Sequence, residues 1–231
     1  MLTTDVEQLL VSLQLSDSAF PSGFYTMSHG LEGFSQARLV DRDGVDELLQ
    51  GVLLHSVGPG DATALARAHE AAVVGDWARV YDVDRLLLAT KLNAEMRRAS
   101  VRSGHQLTDV ALGAVGGAQL EEWSRALAAK ETPGCQPVAT AVVYAAAGVG
   151  TEQAVVSDLS AFAVSFLGAA LRLRLADHRQ VQVSLHAVGP VIAQVAADAV
   201  ARDLADMGGF VPMADVMSAQ HERAEARLFT S

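Results

Sequence analysis

His29 and Glu32 stand three positions apart, so on a helix they would share one face and could hold a divalent ion between an imidazole and a carboxylate. A di-iron bundle needs several such pairs and four carboxylates. One pair alone is the ordinary structural case, and a transient metal contact is the sharper reading. His69-Glu70 and His221-Glu222 each begin like a zinc-protease helix, but neither continues to the second histidine. Cys135, the single cysteine, would need a histidine partner and a lowered thiol pKa to act as a nucleophile; a buried or loop cysteine is the plainer reading. No glycine is followed by lysine, which excludes a P-loop. Gly148-Val149-Gly150 lacks the third glycine of a dinucleotide fingerprint and has no strand before it.

The elements that would position these groups read as helices. Thr4 and Glu7 form a candidate capping box, followed by Val6, Leu9, Leu10 and Leu13 at helical spacing. Pro21 and Gly23 turn the chain into a second helix carrying Phe24, Met27, Leu31 and Phe34. Asp43 is a candidate cap for a third helix, which Gly58-Pro59-Gly60 should stop before a fourth begins at Asp61. A long helix is expected from Asp82 to about Arg102, and Thr132 to Pro137 reads as a surface connection. A helix follows over Glu152 to Leu175, and another from Gln180 to Met207 that Pro190 should kink or split. Strand signals are nearly absent. The expected fold is all-α, a single domain over residues 1–231 built as a bundle of nine to eleven helices.

Composition narrows the function. Half of the residues are hydrophobic but only 5% aromatic, an aliphatic surplus that suits helix packing and a partner-binding surface. The net charge of −10, with Lys91 and Lys130 the only lysines, argues against nucleic acid. One cysteine forbids an internal disulfide and suits a reducing compartment. The start of the chain lacks an export leader, and Val138 to Gly150, read as the longest weakly polar stretch, falls short of the roughly 20 residues that span a bilayer. A cytoplasmic protein without a membrane partner is expected. Three classes stay open at this level: a scaffold, a helical-bundle metalloenzyme using His29 and Glu32, and a helical interaction protein of another kind.

Two segments at opposite ends carry a resemblance. Leu13-Gln14-Leu15 followed by Pro21-Ser22-Gly23-Phe24-Tyr25 and Ser28-His29-Gly30-Leu31-Glu32 resembles the N-terminal signature of the UreF family of urease accessory proteins. The ending His221-Glu222, then Arg227-Leu228-Phe229-Thr230-Ser231, is similar to that family's His-Glu-x-x-x-x-Arg-Leu-Phe-x-Ser terminus. Between them, Glu95-Met96-Arg97-Arg98 with Ser103-Gly104, and Ala169-Ala170-Leu171-Arg172-Leu173, match more loosely. Departures from the family pattern are Gly134-Cys135-Gln136-Pro137, Thr230, and the stretch from Leu175 to Gln180.

The resemblance implies a non-catalytic scaffold for urease maturation. Its partners would be UreD/UreH, the GTPase UreG and apo-urease, and the chain would act as a homodimer. No cofactor is expected to be held tightly, and nickel would be handled transiently by the complex. A docking tail is expected at about residues 213–231. The implied partner-binding residues are Tyr25, Ser28, Glu32, His221, Arg223, Arg227, Leu228, Phe229 and Ser231, with His29 and Glu32 as transient metal contacts.

Overall fold

A segment that is apolar on every side must be enclosed by others, and Gln136–Ala146 is such a segment. In the computed structural model, which describes residues 4–18, 20 and 24–229, it forms a helix buried from Gln136 to Ala145. Its alanines and valines let neighbouring helices approach closely. In chain order the α-helices are α1 (Thr4–Ser16), α2 (Leu31–Gln36), α3 (Val45–Val52), α4 (Thr63–Val73), α5 (Trp77–Thr90), α6 (Ala94–Ala114), α7 (Ala118–Ala128), α8 (Gln136–Ala146), α9 (Thr151–Arg172), α10 (His178–Ala201) and α11 (Pro212–His221). No strand occurs among the described residues, so the fold is the expected all-α bundle.

Helix α8 lies between α4, α6, α7 and α9, while α9 packs on α10 and α1. One apolar cluster runs through these helices, with Trp123, Phe166, Leu65 and Leu159 among its fully enclosed members. The indole N–H of buried Trp123 donates to Thr108 Oγ1 at 3.0 Å, so the largest core side chain leaves no polar atom unpaired.

Several sequence expectations need correction. Gly58-Pro59-Gly60 does not stop a helix: residues Leu53–Ala62 wind as a π-helix that joins α3 to α4 without interruption. A wider winding displaces carbonyls from their usual partners, and a later strand of backbone meets them. Gly208 N–H donates to Pro59 O at 3.0 Å and Phe210 N–H to His55 O at 2.8 Å. That approach requires Gly209, whose Cβ would stand 2.6 Å from Ser56 Cα.

Helix α3 starts from Gly44, not from a cap by Asp43. The expected helix over 82–102 is divided between α5 and α6, because Asn93 Oδ1 accepts from Met96 N–H at 2.8 Å and opens a new helix there. The second helix is shorter than expected as well. His29 and Gly30, both at positive φ, separate a 3₁₀ turn over Phe24–Thr26 from α2.

Residues 132–137 are not a surface connection, since Thr132, Gly134, Cys135 and Gln136 are buried. Helix α10 runs through Pro190 without splitting. Its apolar length, and that of α9, was underestimated from sequence. Both are long and apolar enough to cross a membrane, although most of the relevant stretch of α9 is buried inside the bundle. Pro21, Gly23 and Ser231 lie outside the described residues, as does the Thr4 side chain of the candidate capping box.

Candidate functional site at the seated C-terminal segment

Helix α11 ends at His221, and the chain beyond it turns back onto the bundle. His221 is almost fully buried, with Nε2 2.8 Å from Glu32 Oε2 and Nδ1 3.2 Å from Glu95 Oε2. Glu32 stands on the first turn of α2 and Glu95 on the first turn of α6, where the helix dipole favours a carboxylate. Each ring nitrogen of His221 thus lies within hydrogen-bond distance of a carboxylate oxygen.

Glu32 does more than meet the imidazole. Its Oε1 accepts from Leu228 N–H at 2.8 Å and its Oε2 from Phe229 N–H at 3.0 Å, so one buried carboxylate grips the backbone of the tail. The Gln36 amide donates to Glu32 Oε1 at 3.4 Å and to Ala226 O at 3.1 Å. Arg227 Nη1 lies 2.9 Å from Glu95 Oε1, and Arg98 pairs with Glu222. Burial of carboxylates is costly unless donors and cations surround them, and here both conditions are met.

Phe229 is enclosed, with the Arg172 guanidinium 4.2 Å from its ring centre. That same guanidinium lies 4.3 Å from the ring of Tyr25, which is itself exposed. A cation between two aromatic faces contributes about 0.5–2 kcal/mol per face. The segments that the sequence singled out at the two ends of the chain thus meet around one arginine.

Of the expected site residues, Glu32, His221, Arg227 and Phe229 come together, with Ser28 next to them accepting the Glu32 N–H at 3.3 Å. Arg223 and Leu228 face solvent beside them. His29 departs. It lies in the turn before α2 rather than on its face, and its ring packs against Phe24 and Phe162. Ser165 gives its hydroxyl hydrogen to Phe24 O, so His29 Nε2–H donates to Ser165 Oγ at 2.9 Å. Burial, with the Arg172 and Lys91 charges nearby, lowers its pKa to about 3 and keeps the ring neutral. His29 and Glu32 do not form a common pair, and no group of three His, Cys, Asp or Glu suited to a metal ion occurs among the described residues.

Glu95, Arg172 and Arg98 were missed as site residues. The signal for Glu95 was present: Asn93 as a helix cap would have placed it in a first turn. Its burial depends on tertiary packing and left no mark in the sequence. Cys135 is buried, and burial beside Asp84 pushes its thiol far up, which leaves it protonated and inert.

Residues 39–189 match the family model for UreF. The chain is 31% identical to the urease accessory protein UreF 2 of Brucella canis over 96% of its own length and 91% of the relative's. It is 30% identical to the UreF protein of Trichodesmium erythraeum over the full length of both chains. With UreF of Yersinia enterocolitica it shares 31% identity over 98% of this chain and 100% of the relative. The match to the Trichodesmium protein spans both ends of the chain, the family model covers its middle, and the chain accordingly belongs to the UreF family of urease accessory proteins.

Proposed function

We propose that the chain is a non-catalytic scaffold in urease maturation, acting in the cytoplasm as a homodimer with UreD/UreH to recruit the GTPase UreG and assist nickel insertion into apo-urease. Nickel is cargo of the assembly in this reading, and UreF makes no covalent bond. It orients partners and biases the GTPase between states. The observation that carries the reading is the seated tail: Glu32 holds the backbone at Leu228 and Phe229, Glu95 and Arg172 hold the side chains of His221, Arg227 and Phe229, and Leu228 and Arg223 project outward. An apolar side chain held rigidly in solvent is a preorganised contact, since the ordering entropy has already been lost on folding.

Leu228→Asp tests it. The variant leaves every seat contact in place, so the helical circular dichroism should match the wild type while co-purification with co-expressed UreD falls by about tenfold or more. Undiminished recovery of UreD would overturn the docking claim. Light scattering of the purified wild type should report twice the mass of the chain, and a monomer would overturn the dimer.

A further inference from the structure

Helix α9 sets Asp158, Ala161, Ser165, Gly168 and Arg172 on one face, spread over about 21 Å by the rise of a helix. That face lines a cavity of about 250 Å³ whose other walls come from α1, α6 and α8, with Leu15, Leu107 and Val143 among the apolar members. An apolar cavity of about 150 Å³ accepts a molecule the size of benzene, so this one takes a longer apolar body. Gly168 makes the room. Its ideal Cβ has nothing within 4 Å, although glycine inside a helix costs about 1 kcal/mol relative to alanine. No close approach of backbone demands glycine there, in contrast with Gly104.

The two ends of the cavity differ in charge. At one end Asp158 accepts from Gln136 Nε2 at 2.8 Å, and burial raises its pKa to about 7. At the other, the Arg172 guanidinium lies between the rings of Tyr25 and Phe229, at 4.3 and 4.2 Å. Its Nε donates to Gly168 O at 3.3 Å, and among the described residues no carboxylate pairs with it. Burial draws its pKa below the usual arginine value, as expected of a cation without a counter-charge. Asp17 borders the cavity too, yet Arg172 feels burial and Tyr25, not that carboxylate.

We infer that the cavity binds a small organic monocarboxylate with a linear apolar chain. The carboxylate lies on the in-plane N–H edge of Arg172, which aromatic rings over the two faces leave open and which suits a planar anion. The chain runs beside Gly168 toward Asp158. The site is independent of the scaffold role above, so the outcomes below do not bear on that reading.

Isothermal titration calorimetry of the full-length chain with decanoate, kept below its micelle concentration and at mildly acidic pH where Asp158 holds its proton, tests the site. One decanoate per chain is expected, with decanol and decylammonium each binding about tenfold or more weaker. Gly168→Leu, which places a side chain in the open space and favours the helix, should abolish saturable binding while the circular dichroism stays that of the wild type. Arg172→Gln should bring decanoate down to the affinity of decanol. Should loss of the ring contacts unfold that variant, Arg172→Lys, which keeps the charge without the planar fork, carries the same test with an intermediate loss. Decanol bound as tightly as decanoate would overturn the carboxylate assignment, as would wild-type affinity in a folded Arg172 variant. Saturable binding retained by folded Gly168→Leu would overturn the cavity, and no saturable binding to the wild type would overturn both.

Discussion

Glu32 Oε2 and His221 Nε2 lie 2.8 Å apart across 189 positions of chain, both nearly excluded from water. His221→Ala should leave Glu32 and Glu95 each with an unmade hydrogen bond in the interior, at about 1–3 kcal/mol for each. A fall in Tm on the order of 10 °C is expected for a chain of this size. Trypsin should then cut at Arg223 and Arg227 faster than in the wild type, and unchanged cleavage would show that the tail is held by something else.

Asp84 organises a second buried region. From the middle of α5 its Oδ2 accepts from Thr132 Oγ1 at 2.5 Å and Gly134 N–H at 2.6 Å, and its Oδ1 from Cys135 N–H at 2.8 Å. It thereby fixes the connection that leads into α8. Asp84→Ala strands two buried backbone donors and a hydroxyl, each worth about 1–3 kcal/mol when left unmade. An unfolding free energy in urea lower by several kcal/mol is expected, with the largest gain in amide exchange over 132–136. Exchange rates unaltered in that segment would contradict the assignment.

These two carboxylates mark the limit of what the sequence discloses. Apolar periodicity located the helices around Leu48, Val155 and Phe166, since a helix must turn one face to the core whatever it meets there. The same reasoning failed at Lys91–Asn93, where one asparagine side chain ends a helix-compatible run, and at Pro59, where π winding accommodates a residue that ordinarily breaks a helix. The site was half legible. His221, Arg227, Phe229 and Glu32 stood out by motif, but Glu95 and Arg172 are ordinary helix residues until tertiary packing brings the tail to them.

Close helix packing gives a sharper expectation at Gly104. A Cβ there would stand 2.1 Å from Gly134 O and 2.9 Å from Gln136 N, all backbone that cannot step aside. Gly104→Ala should therefore force α6 away from α8 and destabilise by about 1–3 kcal/mol or more. Gly113, on the same helix, has nothing within 4 Å of its ideal Cβ. Gly113→Ala should stabilise by about 0.5–1 kcal/mol through helix propensity alone. Chemical denaturation of the two variants side by side checks both signs, and equal effects would contradict the packing argument.

Asp158 provides the pH-dependent test. It is buried on α9, where Gln136 Nε2 donates to Oδ1 at 2.8 Å, and burial, aided by the charge of Asp61, raises its pKa to about 7 from an ordinary 3.8. Between those two values the folded chain keeps a proton that the unfolded chain has released. The contribution of Asp158 to stability is thus complete below about pH 3.8 and is lost as pH rises through about 7. Asp158→Asn cannot ionise and still offers Oδ1 to Gln136. Relative to the wild type, the variant should gain about 2–4 kcal/mol at pH 8 and little at pH 4. Urea unfolding of both proteins at the two values isolates this residue and the groups coupled to it, because uncoupled titrating groups cancel in the difference. A gap that stays constant with pH would mean that Asp158 is ionised in the fold, and that the polar lining around Gln136 and Thr140 solvates it as well as water does.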